Sequence, residues 1–181
     1  MWGFSTDNAK RNPEEIQKLF GLFKKYLAEA MEENQKASAE EKKKYNVRIR
    51  FLGRRSLFPP EIQDAMNKIE GLTKNNKNYT LNLLLGYGGH EEIVDAVNAL
   101  LRESKKEVDE KDIENRLYTA GQEHPDLVIR TSGEQRLSGL LPWQTVYSEL
   151  HFSKKLWQDF GKRDFEDALK TYGRRMRRFG K

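Results

Sequence analysis

The run Tyr79-Thr80-Leu81-Asn82-Leu83-Leu84-Leu85 is short and mostly apolar, and it leads directly into Gly86-Tyr87-Gly88-Gly89. A turn cluster, residues 75–78, precedes it. Such a bounded apolar run is typical of a strand buried on both faces of a parallel sheet. Apolar residues recur at helical spacing after the glycines, which predicts a strand followed by a helix. This pairing is the repeating unit of α/β proteins.

The same alternation extends to both sides of this run. We predict a fold of the α/β class, with a parallel central sheet flanked by helices, in one domain covering residues 1–181. Only three or four strands are recognisable, which is few for a sheet with helices on both faces. The further predicted strands are residues 47–52, 127–130 and 145–152, and the further predicted helices are residues 13–36, a segment from Pro60, residues 109–118 and a segment from Asp164.

The amino-acid composition limits the possible cellular compartment and the possible kinds of site. The chain has 181 residues, 33 Lys and Arg against 28 Asp and Glu, a net charge of +5, and no cysteine. The missing thiols exclude disulfides and thiolate zinc sites. With no long apolar run and no signal-peptide pattern, we expect a cytoplasmic protein. An isoelectric point near 9.3 permits an anionic partner, whether nucleic acid, anionic lipid or a phosphorylated substrate.

Three loops follow predicted strands or open the chain. They are residues 4–8, residues 86–89 and residues 130–138. Ligands of parallel sheets bind beyond the carboxyl ends of the strands. We therefore expect the three loops to converge on one crevice.

The third loop carries cations suited to phosphate. Arg130, Arg136 and Ser138 lie within nine residues, and Gly133 allows a sharp turn between them. A guanidinium fork matches phosphate oxygens, and a serine hydroxyl adds a further donor. The pattern favours a diphosphate site, although two surface arginines in a polar loop would look the same.

A carboxylate lies in the apolar segment that follows this loop. Glu149 could bind Mg²⁺, which prefers one or two carboxylates together with substrate phosphates. The alternative is a glutamate at a strand end that pairs with an arginine. The three histidines, His90, His124 and His151, show no ligand spacing.

Together these motifs resemble the cis-prenyltransferases, the undecaprenyl diphosphate synthase family, over nearly the whole chain. The most specific stretch is residues 126–138, continued by Trp143-Gln144 and residues 147–152. Phe4-Ser5-Thr6-Asp7-Asn8 with Arg11 resembles the family's F-S-x-E-N-x-x-R loop. Tyr87-Gly88-Gly89 and Arg177-Arg178-Phe179-Gly180 match as well.

The resemblance implies an activity and a set of site residues. Such enzymes condense isopentenyl diphosphate with an allylic diphosphate, each addition leaving a cis double bond, and they require Mg²⁺. The implied roles are isopentenyl diphosphate binding for Arg130, Arg136 and Ser138, a Mg²⁺ ligand for Glu149, and a catalytic mobile loop for Ser5, Asn8 and Arg11. Arg178 and Gly180 would form an R-x-G element that crosses a dimer interface and binds isopentenyl diphosphate in the neighbouring active site.

One departure from the family pattern suggests a partner. Family members begin with a strand and an M-D-G-N-x-R-W loop that holds the allylic diphosphate, and this chain has no such loop. We expect a cis-prenyltransferase fold without its first strands, in a chain that is inactive alone. Our hypothesis is a split or heteromeric enzyme whose second chain supplies the Asp-containing loop, with such units forming dimers. Its lipid product implies a peripheral membrane contact.

Two alternatives stay open. The chain could be a non-catalytic subunit that stabilises a full-length cis-prenyltransferase and donates its R-x-G element, although the retained Arg130, Arg136, Ser138 and Glu149 argue against this. It could also be a basic nucleic-acid-binding domain. No helix-turn-helix, RNA-recognition or OB pattern favours that interpretation.

Overall fold

A computed structural model describes residues 1–174, apart from the side chains of Ala39, Lys42 and Lys43. The chain divides into two compact units, Met1–Glu92 and Ile93–Lys181, and each is described by itself. The expectation of one domain over residues 1–181 stays a prediction.

The first unit contains a three-stranded parallel sheet. Its strands are β1 (Trp2–Ser5), β2 (Val47–Leu52) and β3 (Tyr79–Tyr87), in the order β1-β3-β2. The apolar run thus forms the central strand, as predicted, and its last four residues are buried. In register, Val47 lies opposite Tyr79, Leu52 opposite Leu84, and Phe4 opposite Leu85.

Three helices belong to the first unit: α1 (Pro13–Lys36), α2 (Ala39–Tyr45) and α3 (Pro60–Thr73). Helix α1 begins as predicted, since the Asn12 side chain accepts a hydrogen bond from the Glu14 amide and Pro13 occupies the first turn. The charged stretch after α1 forms the separate helix α2. Short 3-10 turns cover Asp7–Lys10 and Arg55–Leu57.

The core of this unit is aromatic. Phe4, Phe20 and Phe58 are buried, and the rings of Phe4 and Phe58 lie 5.5 Å apart between centroids. Ile62 and Met66 of α3 join the same cluster. Burying each such side chain stabilises the fold by about 1.5–3 kcal/mol. The cluster therefore ties β1, α1 and α3 together.

Side chains cover the outer edge of β2. The amide of Ile49 donates to Thr73 Oγ1 at 3.1 Å, and the amide of Phe51 donates to Glu70 Oε1 at 2.7 Å. Asn76 Nδ2 donates to the Val47 carbonyl at 2.8 Å. Because these backbone groups are already bonded, this edge is protected against pairing with another strand.

The second unit contains a two-stranded parallel sheet of β4 (Leu127–Arg130) and β5 (Glu149–Phe152). Helix α4 (Gly89–Arg102) begins in the first unit and ends in the second. Helices α5 (Glu110–Glu114) and α6 (Lys162–Arg174) and a 3-10 turn at Trp157–Asp159 complete the described elements. Among the helices of the described residues, none has the length and apolarity needed to cross a membrane.

The α/β class and the parallel pairing are confirmed, while some bounds differ. The predicted strand over residues 145–152 begins only at Glu149, because Thr145 Oγ1 and the Thr145 amide both donate to the Leu141 carbonyl and form a turn. The chain opens with the short strand β1, which leads into the loop expected there. The described strands form two sheets rather than one.

Candidate active site

In the first unit, the loops after β1 and β3 meet. The Thr6 amide donates to the Tyr87 carbonyl at 3.1 Å, and Thr6 Oγ1 donates to Glu91 Oε1 at 2.9 Å. A Cβ atom at Gly88 would lie 2.6 Å from Thr6 Oγ1, so only glycine fits there without a shift. Two of the three predicted loops are therefore neighbours at the carboxyl ends of their strands.

Ser5 and Asn8 hold the first loop in shape. The Ser5 amide donates to Asn8 Oδ1 at 2.8 Å, and the Asn8 amide donates to Ser5 Oγ at 3.0 Å. Such side-chain bonds to nearby backbone stabilise a tight turn. The predicted pair is thus brought together, and its polar atoms define the conformation of the loop.

Arg11 lies just beyond this turn and pairs with Glu15 rather than with Ser5 or Asn8. Its Nη1 donates to Glu15 Oε1 at 2.5 Å, in an ion pair whose members are about half exposed. On the turn itself, Lys10 pairs with Asp7 at 2.7 Å, and its ammonium, first by hydrogen bonding and then by charge, lowers the pKa of that carboxyl. The loop therefore presents its charged groups to solvent.

A buried polar pair lies beneath the same loops. The Tyr87 hydroxyl donates to Glu92 Oε2 at 2.5 Å, and both residues are 0% exposed. The contact fastens the end of β3 to the first turn of α4. Sequence reasoning missed Glu92, since an acid in the first turn of a helix ordinarily indicates no more than a favourable dipole interaction.

In the second unit, Arg130 contacts the side chain of Ser138 and the backbone of Arg136, the other two residues expected to bind diphosphate. Arg130 Nη1 donates to Ser138 Oγ at 3.0 Å and also to the Arg136 carbonyl. Arg136 Nη1 forms an ion pair with Glu134 of the same loop. Ser138 accepts from Arg130, so its own hydroxyl hydrogen is still available to a phosphate oxygen.

Backbone bonds support this loop from behind. The amides of Ser132 and Gly133 donate to the carbonyls of Lys155 and Ser153, at 2.7 and 2.9 Å. Ser132 and Gly133 have φ values of 72° and 75°, the left-handed conformation that a tight turn requires. The segment after β5 is therefore a support that the sequence pattern did not reveal.

A second contact fixes that support. Lys155 Nζ lies 2.7 Å from Asp164 Oδ1, and the Gly161 amide donates to Asp164 Oδ2 at 2.9 Å. The pKa of Asp164 is lowered, first by the hydrogen bond from Lys155 and then by the bond from the Gly161 amide. The carboxylate thus joins the support segment to the start of α6.

Glu149 lies at the opposite end of its strand from the arginine loop. It is the first residue of β5, in register with Leu127, whereas Arg130 is in register with Phe152. Three residues of strand correspond to about 10 Å. The described residues contain no group of three side chains suited to a metal. Glu149 is thus a single candidate ligand, and its role in a Mg²⁺ site stays a prediction.

Two predicted site residues, Arg178 and Gly180, lie outside the described residues. The meeting of the arginine loop with the two loops of the first unit also stays a prediction.

Comparison with known proteins places this arrangement in a family. Residues 1–180 match the family model described as "Putative undecaprenyl diphosphate synthase". An isoprenyl transferase of Thermus thermophilus is 49% identical over 191 residues, which cover all of this chain and 70% of the relative. The chain belongs to the cis-prenyltransferase family.

Further relatives agree with this assignment. A tritrans,polycis-undecaprenyl-diphosphate synthase (geranylgeranyl-diphosphate specific) of Methanocaldococcus jannaschii is 41% identical and matches over 100% of this chain and 65% of its own length. The family members are prenyltransferases, and the activity class of this chain is the condensation of isoprenyl diphosphates.

Solved structures share the fold. Lavandulyl diphosphate synthase from Lavandula x intermedia, solved with dimethylallyl diphosphate, has a TM-score of 0.87 and 34% identity, covering 99% of this chain and 77% of that one. A probable undecaprenyl diphosphate synthase from Campylobacter jejuni has a TM-score of 0.85 and 33% identity, covering 99% and 81%. The predicted cis-prenyltransferase fold is thereby confirmed, while the lack of its first strands stays a prediction.

Proposed function

We propose that this chain binds isopentenyl diphosphate through Arg130, Arg136 and Ser138 and condenses it onto an allylic diphosphate to make a cis-polyprenyl diphosphate. The observation that carries the proposal is that the Arg130 guanidinium donates to Ser138 Oγ. The same guanidinium also donates to the Arg136 carbonyl. These contacts hold donors from the two ends of the loop in one place. Such preorganised donors bind phosphate oxygens without further ordering.

The same residues also stabilise the negative charge that develops on the diphosphate during the reaction. Loss of diphosphate from the allylic substrate leaves negative charge on the leaving group, and cations held nearby lower that barrier. Arg136 exchanges its contact with Glu134 for one with phosphate, since that pair is largely exposed and of small net value. Mg²⁺, when bound with Glu149 as one ligand, would neutralise further charge on the diphosphates.

The loop of Ser5, Asn8 and Arg11 is assigned to the reacting centre. Ser5 and Asn8 hold their turn through reciprocal bonds, and Thr6 fastens it to Glu91 in the first turn of α4. The half-exposed Arg11 is able to leave Glu15 for an anionic substrate. In this proposal the loop orients the substrate around the bond that forms.

A partner chain completes the enzyme in this proposal. Among the described strands, β1 pairs with β3 alone, so its other side is an edge of the sheet. In the second unit, α4 exposes Val94, Val97 and Leu101 at helical spacing, and Leu101 is 64% exposed. An exposed apolar stripe of this kind is typical of a surface that another segment covers. The partner supplies the Asp-containing loop for the allylic diphosphate.

Arg130→Ala tests the substrate role. We expect kcat/KM of the assembled enzyme to fall about a hundredfold, because a donor to the diphosphate is lost. Arg163→Ala removes an exposed arginine of α6 and serves as the matched control, with activity unchanged. Undiminished activity of the complex with Arg130→Ala would instead favour the non-catalytic partner subunit.

The partner is tested separately. The purified chain, supplied with Mg²⁺ and both diphosphates, is expected to give little product, and a co-expressed chain carrying the Asp-containing loop is expected to restore it. Leu101→Glu should weaken that complementation at least tenfold, whereas Asn98→Glu, an exposed polar position on α4, should not. Full turnover by the chain alone would contradict the heteromeric proposal and leave the substrate assignment standing.

A further inference from the structure

One groove of the first unit is lined by none of the site residues described above. An open groove of about 480 Å³ runs along the outer edge of β2 and one side of α3. We call it the β2–α3 groove. Its walls are the strand residues 48–52 together with Arg55, Asn67, Glu70, Gly71 and Lys74. This volume lies within the usual range for small-molecule sites.

The lining of the groove is strongly cationic. It contains Arg48, Arg50, Arg55 and Lys74, with Glu70 as the acidic residue among its described walls. Four cations against one carboxylate leave a net charge of +3. A concave surface with one sign of charge concentrates ions of the opposite sign.

The single carboxylate is engaged within the wall. Arg55 Nη2 donates to both oxygens of Glu70 at 2.7 Å, and Arg55 Nη1 donates to Asn67 Oδ1 at 2.5 Å. Glu70 Oε1 also accepts from the Phe51 amide. Glu70 is thus paired with Arg55, and the lining as a whole keeps its excess of positive charge.

The groove is not suited to a docking strand. Strand addition needs free backbone donors and acceptors, and those of Ile49, Phe51 and Val47 are bonded to Thr73, Glu70 and Asn76. A ligand is therefore recognised by side chains. This excludes an extended peptide and favours a compact anion.

Arg48 and Arg50 are placed to act together. Residues two apart on a strand share one face and lie about 6.6 Å apart along it. The pKa of Arg50 is lowered, first by burial and then by the nearby Arg48 guanidinium, while Glu70 opposes the shift. Two like charges held this close gain most from an anion that bridges them.

We propose that the β2–α3 groove binds a phosphate-bearing anion through Arg48 and Arg50, with Lys74 as a third cation. Paired guanidinium forks match the oxygens of a phosphate or diphosphate. The phosphate belongs either to a free ligand or to a lipid headgroup. The groove uses none of the residues assigned to substrate binding, so this inference stands apart from the proposed reaction.

The test measures binding rather than activity. In the first arm, inorganic diphosphate is titrated into the full chain by calorimetry, at low salt and without Mg²⁺. The chain carries Arg130→Gln, which removes the proposed substrate contact. Sedimentation with phosphatidylglycerol vesicles, against phosphatidylcholine vesicles, forms the second arm. We expect Arg48→Gln with Arg50→Gln to weaken binding of one probe at least tenfold, and Lys18→Gln, an exposed lysine of α1, to leave it unchanged.

The two arms identify the source of the phosphate. Loss of diphosphate binding assigns a free ligand, and loss of vesicle binding alone assigns a lipid headgroup. If neither probe binds, or if the double substitution changes neither affinity, the proposal is overturned. Melting curves check folding. If the double variant does not fold, the single variants Arg48→Gln and Lys74→Gln, both at exposed positions, are tested instead. Each is expected to weaken binding about threefold, and unchanged binding would overturn the proposal.

Discussion

At the scale of single residues, the turn after β2 and the end of β3 depend on two glycines, Gly53 and Gly86, that pass close to each other. The Arg54 amide donates to the Gly86 carbonyl at 2.9 Å, and Gly53 and Gly86 have φ values of 130° and 65°. A side chain at Gly53 would collide with the Leu85 carbonyl oxygen. These conformations belong to glycine because other residues have a Cβ atom that clashes there.

Gly53→Ala is expected to lower the free energy of unfolding by at least about 2 kcal/mol, because it adds both a steric clash and a strained φ. Gly21→Ala is the matched control. Gly21 lies inside α1 with nothing within 4 Å of an added Cβ, so this change should stabilise by about 0.5–1 kcal/mol. Urea unfolding measures both, and equal effects of the two substitutions would contradict this account.

At the scale of elements, one carboxylate links the support of the arginine loop to a helix. Asp164 contacts Lys155 and the Gly161 amide, and the Lys155 carbonyl accepts from Ser132 beside the loop. The pKa of Asp164 is lowered, chiefly by Lys155. A carboxyl with a depressed pKa stabilises the folded state above its unfolded pKa, and that contribution is lost as the pH falls through the folded value.

Asp164→Asn keeps an acceptor for Gly161 and removes the ion pair. We expect the variant to melt at a lower temperature than the wild type at pH 7, and the difference to shrink as the pH falls below about 4. Calorimetric melting across that range provides the measurement. A difference that stays constant down to about pH 2, below the ordinary range of carboxyl titration, would rule out the ion pair as its cause.

At the scale of the whole molecule, apolar exposure points to association. On α6, Phe165 and Leu169 are four residues apart on one helical face and are 48% and 45% exposed. On the 3-10 turn before it, Trp157 is 60% exposed. Exposed apolar side chains of this kind favour the dimer that the resemblance implies.

The combined substitution of Phe165→Glu and Leu169→Glu should weaken self-association at least tenfold, because charged groups resist burial in an interface. Lys162→Glu, at an 89% exposed position on the same helix, should leave it unchanged. Light scattering during size-exclusion chromatography gives the mass of each species. A variant with the wild-type mass at every concentration would show that this face is not the interface.

Local sequence patterns were enough to predict many of the secondary-structure elements. The residues of β3 and the start of α1 at Asn12-Pro13 could be predicted because apolar periodicity and capping are local properties. The bonded group of Arg130, Arg136 and Ser138 was also accessible from spacing within one loop. The family motifs gave these residues a chemical meaning that composition alone does not.

Contacts between distant segments needed the fold itself. The bond from Thr6 to Glu91 and the support of Ser132 by Lys155 depend on how separate segments approach each other. The strand order β1-β3-β2 and the late start of β5 likewise follow from pairing between separate segments. A linear pattern encodes each segment's preference for helix or strand, whereas register, edge protection and the charge of a groove arise only when packing brings separate segments within bonding distance.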